Sequence, residues 1–213
     1  MHSFIFIIIA ATAIVSLIGF NNQELFNRFK FSTYAILQQK QWDRMVTSAF
    51  LHADWMHLIF NMLTFYFFAP SIIVYLGVFP LLLIYFGAIL GGNLLTLFMH
   101  RRNSGYSAIG ASGGVSGVLF GAIALDPHIG IMIMFIPIPI SGWIFSIIYL
   151  AYSIYGMRNS LGNTGHAAHL GGAFAGFALA ITFYPQTLQY NGLIIGIMLI
   201  PLAVLGYFVY KER

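Results

Sequence analysis

The chain has 213 residues, 60% of them hydrophobic and only 7% charged, with a mean hydropathy of +0.87. A soluble domain normally carries about 25% charged residues to solvate its surface, so this composition excludes a water-facing globule and specifies an integral membrane protein. The formal charge of +4 comes from nine Lys/Arg and five Asp/Glu scattered through connecting stretches, which excludes the dense basic face of a nucleic-acid binder.

A helix needs about 20 apolar residues to cross the hydrocarbon core, and seven stretches qualify as spans. The first covers 3–20. It has no positive segment before it and exceeds the apolar run of a cleaved signal, so it reads as a retained transmembrane helix. Residues 21–51 contain Glu24, Arg28, Lys30, Lys40, Trp42, Asp43 and Arg44; at about 30 residues this is too long for a plain connector and predicts a structured element. The second span is about 53–70, closed by Ala69-Pro70, and the third about 79–99, ended by His100-Arg101-Arg102. The fourth, about 111–126, opens on a glycine-rich stretch. Residues 128–140 hold Ile136-Pro137-Ile138-Pro139, which cannot continue a regular helix because each proline removes a donor. The fifth, sixth and seventh spans are about 141–157, 166–184 and 192–210. With no internal repeat, the expectation is an all-α polytopic bundle forming one domain over 1–213.

Ionisable and polar groups inside a bilayer are costly, so each is a functional hypothesis. His57 and Asn61 lie four apart, hence on one helix face. An imidazole and an amide donor can converge there on one point, as an oxyanion site needs; equally, two polar groups could satisfy each other between helices. His52 and Asp54 precede them. A second cluster runs Gly110-Ala111-Ser112-Gly113-Gly114-Val115-Ser116-Gly117, then Gly121. Small residues four apart let helices pack closely, and glycine at a helix start also admits a substrate backbone and exposes N–H groups. The third is Gly165-His166-Ala167-Ala168-His169-Leu170-Gly171-Gly172, with Gly176 beyond. A neutral imidazole beside a hydroxyl is the minimum unit for nucleophilic catalysis. Neither glycine-rich cluster contains Asp or Glu, which predicts a dyad rather than a triad.

Taken as an ordered set, Trp42-Asp43-Arg44, His52, His57, Asn61, Gly110-Ala111-Ser112-Gly113 and Ala168-His169-Leu170-Gly171-Gly172 resemble the rhomboid family. The resemblance spans residues 42–176. It implies a six-helix core over about 1–184 with the seventh helix, about 192–210, as a C-terminal addition. It implies a Ser–His dyad protease that cuts peptide bonds within or beside transmembrane helices of other proteins, in the plasma membrane and without a cofactor. On the motif match Ser112 is the nucleophile and His169 the general base. His57, Asn61 and the Ser112 N–H hold the oxyanion, and Arg44, His52, Gly110, Gly113 and Gly172 support the site. Ser116 also fits Gly-x-Ser-Gly and competes with Ser112, but lies one turn deeper; His166 reads as a neighbour facing the interface. Asp43 and the lack of an acidic residue over 69–80 depart from the family pattern.

Other readings remain open. A metal-dependent membrane protein could use His52, His57, His166 and His169, although the His-Glu-x-x-His signature of metalloproteases is absent. An inactive client-binding rhomboid-like protein is a third reading. The resemblance places the dyad near the outer face; on these spans all nine Lys/Arg then fall on the same side, where the positive-inside rule would predict the reverse orientation.

Overall fold

A computed structural model describes residues 3–132, 138–159 and 165–211, without the side chains of 202, 205, 206 and 208–211. The chain is mostly helical. Among the described residues, four helices are long and apolar enough to cross a membrane: α1 (Ser3–Asn21), α5 (Trp55–Leu76), α6 (Val78–His100) and α9 (His166–Phe183). Between the first two lie α2 (Gln23–Phe29), β1 (Phe31–Ser32), α3 (Thr33–Leu37), α4 (Arg44–Thr47) and a 3₁₀ turn at Ser48–Phe50. After α6 come β2 (Ser107–Ala108), α7 (Ser112–Leu125), β3 (Gly130–Ile131), β4 (Ile140–Ser141) and α8 (Gly142–Asn159). The last helix is α10 (Thr187–Lys211), interrupted by non-helical backbone at Asn191.

The connection read as too long for a loop is held from inside by Arg44. Its guanidinium is buried and donates to the carbonyls of Asn27 (2.9 Å) and Lys30 (2.7 Å) and to Gln41 Oε1 (2.7 Å). Three acceptors compensate the cost of burying that charge. β1 pairs antiparallel with β2, Phe31 opposite Ala108, which ties this segment to the loop before α7. The exposed Arg28–Asp43 pair (2.7 Å) contributes little by comparison.

Pro70 does not end the second span. α5 continues through it to Leu76, because Phe65, Ala69, Ile72 and Ile73 stay buried on one face across the proline and the packing outweighs the one lost donor. The turn comes at Gly77, whose φ of +88° joins α5 directly to α6; only glycine adopts that region without strain. The non-helical reading of 128–140 holds for its described part, where β3 and β4 pair antiparallel. Ile136 and Pro137 lie outside the described residues.

The organising element is α7. Every residue from Gly113 to Leu125 is buried, as expected of a helix that is apolar all round. It packs on α5, α6 and α9, while large apolar side chains such as Phe67, Val74 and Phe79 face outward, where lipid would cover them. At 14 residues, α7 covers about 21 Å, short of the roughly 30 Å of hydrocarbon. Non-helical chain must make up the difference. Irregular backbone at membrane depth is tolerated only where it is buried in protein or lines a water-filled cavity.

Candidate active site

A cavity with polar lining lies at the N-terminal end of α7. It has a volume of about 660 Å³, and its polar lining comprises Asp54, His57, Asn61, Thr64, Ser112, Ser116, Tyr149 and His169. Four of the residues singled out in the sequence, Ser112, His169, His57 and Asn61, therefore come together from α7, α9 and α5.

Ser112 is the first residue of α7, which has no side-chain cap. The N–H groups of the first helical turn have no intrahelical acceptor, and the Ser112 N–H is among them. Gly110, two residues earlier, has φ +119°. A Cβ there would stand 2.8 Å from His57 Nε2 and 3.8 Å from Ser112 Oγ. The bare glycine thus lets the His57 ring and the Ser112 hydroxyl approach one point. The Ala53 N–H reaches His57 Nδ1 at 3.5 Å, which makes Nδ1 the acceptor and leaves the proton on Nε2, the atom facing Gly110. Asn61 donates one amide hydrogen to the His57 carbonyl (2.8 Å) and retains a second. Asn61 thus bonds back to its own helix, rather than satisfying a polar side chain between helices as the alternative reading had it, and still lines the cavity.

His169 lies in the first turn of α9. A Cβ on Gly113 would be 3.2 Å from the Ala168 carbonyl, so the residues following Ser112 and preceding His169 are in contact. Among the described residues no hydrogen bond joins Ser112 to His169. Tyr149 of α8, unremarked in the sequence, stacks on the His169 ring (6.2 Å between centroids, 19°) and shares a 2.9 Å hydrogen bond with Ser116 Oγ. Ser116 is thereby engaged as a prop for Tyr149. A phenol inside a span is a polar signal, but with 12 tyrosines in the chain it does not single out position 149.

His166 does not line the cavity. Rather than facing the interface as expected, it is 5% exposed and packs against Gly156 of α8, where a Cβ would collide with the imidazole. The reason is steric: Gly156 leaves a ring-sized recess in the neighbouring helix. Gly172, one turn beyond Ala168, abuts the Gly113 carbonyl. Among the described residues no three His, Asp or Glu gather as a metal-binding group.

His52 is fully buried behind the cavity wall. The Ser16 hydroxyl donates its one proton to the Phe50 carbonyl (2.9 Å), so it must accept from His52 Nδ1 (2.9 Å). Nε2 is then the acceptor for the Ala111 N–H (3.4 Å). One neutral imidazole connects α1 to the residue before Ser112, with its edge against His57 (4.8 Å). Burial foremost, and the neighbouring His57, hold its pKa down at about 3, against a smaller raising effect of Asp54. The unfolded chain therefore binds a proton that the native state refuses between pH 6.5 and about 3. Stability from this site is complete above pH 6.5 and falls on acidification. The expected loss is about 1.4 kcal/mol per pH unit. Thermal unfolding in detergent from pH 7.5 to 4.5 should fall more steeply for wild type than for His52→Gln; parallel curves would refute the assignment.

These features define a multi-pass integral membrane protein with a polar cavity at the end of its central helix. The rhomboid domain model matches residues 39–186, and the chain belongs to the rhomboid family. It is 31% identical over 136 residues to Rhomboid protein 1, mitochondrial, of Saccharomyces cerevisiae, covering 62% of this chain and 39% of that protein. It is 30% identical over 169 residues to RHOMBOID-like protein 12, mitochondrial, of Arabidopsis thaliana, covering 72% and 50%. YdcA of Bacillus subtilis, which carries the words rhomboid protease in its name, is 38% identical over 81 residues, covering 38% of this chain and 39% of its own. The chain spans between two fifths and half the length of these relatives.

Proposed function

We propose that this protein is an intramembrane serine endopeptidase that cuts peptide bonds within or beside transmembrane helices of other proteins. The observation that carries the reading is the convergence of Ser112, His169, His57 and Asn61 on one cavity inside an apolar bundle. Ser112 Oγ attacks the scissile carbonyl and His169 takes its proton, then delivers it to the leaving amine. The developing oxyanion lies near His57 Nε2–H, the free Asn61 amide hydrogen and the Ser112 N–H, donors already in place before the charge forms. A water entering the cavity then releases the acyl group by the same route. Substrate helices carry Gly, Pro or polar residues near the cut, because a peptide bond locked in a helix cannot be presented extended.

The site lies in one domain over 1–213. α1, α5, α6, α7, α8 and α9 make its six-helix core and α10 the added seventh, in the plasma membrane. The Ser–His chemistry requires no cofactor. The test is cleavage of a fluorogenic transmembrane peptide by the purified protein in liposomes containing a chelator. Cleavage is expected to proceed at the same rate with and without the chelator. Loss of cleavage on chelation, or none under either condition, would overturn the reading.

A further inference from the structure

Among the described residues that line the cavity, Asp54 alone carries a formal charge. It is exposed, it is the N-cap of α5, and its Oδ1 accepts from the His57 N–H at 2.8 Å. Capping does not require that charge, since asparagine and serine cap as well as aspartate. Among the described residues no ion pair neutralises it; the pair formed is Arg28–Asp43. Asp54 also borders a second recess of about 450 Å³, lined by Gly19, Phe20, Gln23, Phe26 and Trp55. It thus stands on the ridge where chain leaving the cavity would pass.

Ordinary helix and strand spacings put Asp54 within reach of a bound substrate. His57 lies one helical turn from Asp54, about 5–6 Å between side-chain bases, and its Nε2 faces the Gly110–Ser112 point where a scissile carbonyl would sit. An extended substrate advances about 3.3 Å per residue, so a side chain two residues from the cut reaches the carboxylate. An uncompensated charge beside low-dielectric walls acts more strongly than the same charge in water. We infer that Asp54 is a specificity-determining residue, favouring transmembrane segments with Lys or Arg about two residues from the scissile bond and disfavouring Asp or Glu there. The inference rests on the protease reading of the same cavity.

The experiment uses the full chain in zwitterionic liposomes with three transmembrane peptides, carrying Gln, Lys or Asp two residues to either side of the cut mapped by mass spectrometry. Wild type should cleave the Lys peptide with kcat/KM about five- to tenfold above the Asp peptide on one of the two sides. In Asp54→Asn, which keeps the cap, that ratio should fall towards one. Raising salt should shrink the wild-type ratio as screening grows. A wild-type ratio near one, or an unchanged ratio in Asp54→Asn, overturns the assignment to Asp54. Failure of wild type to cleave even the Gln peptide overturns the protease reading itself.

Discussion

Valine at Gly172 or Gly176 is expected to unfold the centre of the bundle, at a cost of about 3 kcal/mol or more. Overpacking a core usually costs about 1–3 kcal/mol, because flexible side chains can give way; here they cannot. A Cβ on Gly172 would run into the carbonyl oxygen of Gly113, with the Gly113 Cα 2.9 Å away, and one on Gly176 would run into the carbonyl of Gly117. The opposing atoms are backbone, so relief requires α7 and α9 to separate. That separation would also part Ser112 from His169, which lie in the first turns of the two helices, at the end where Gly113 meets Gly172. Heat unfolding in detergent, followed by the loss of the monodisperse peak, should show both variants far below wild type. Gly196→Val on α10 is the control, since nothing lies within 4 Å of its Cβ position, and it should unfold within a degree or two of wild type. Equal stability of Gly172→Val and Gly196→Val would show that α7 and α9 are not held at backbone contact.

The features that sequence made visible are those with strong one-dimensional signals. Apolar runs marked α1, α6 and α9 to within a residue or two, and small residues four apart marked the α7–α9 contact. The ordered Ser, His and Asn motifs marked the cavity wall. What stayed hidden depends on the partner across the gap. Pro70 reads as a stop because proline lacks a donor, and only the buried face running from Phe65 to Ile73 shows why α5 continues. The motif match separates His169 from His166 but does not show where His166 goes; Gly156 on another helix receives it, while His169 lines the cavity. Ser16 reads as an ordinary membrane serine until its bond to Phe50 shows that it sets the protonated nitrogen of His52. The Ser112–Ser116 ambiguity belongs with these, since the two differ chiefly in what Tyr149 does.

That difference allows a direct test of the nucleophile. Ser112→Ala is expected to abolish labelling by a fluorophosphonate probe and to reduce peptide cleavage by at least about 10³-fold, the scale on which loss of a nucleophile or its base acts in serine hydrolases. His169→Ala should do the same, because without a base the hydroxyl is a weak nucleophile. The two losses should not add, since either removes the whole unit. Ser116→Ala should behave differently: it strips a hydrogen bond from Tyr149, whose ring stacks on His169. Tyr149 is half-buried and lines the cavity, so its unpaired phenol costs less than the roughly 1–3 kcal/mol of a fully buried group; this variant should be slightly less stable and slower, yet still labelled. Tyr149→Phe with Ser116→Ala removes both partners of that bond and should recover part of the lost stability, as replacing both members of a buried pair generally does. If labelling instead disappears in Ser116→Ala and persists in Ser112→Ala, the nucleophile lies one turn deeper, and Tyr149 must leave Ser116 for the reaction to begin.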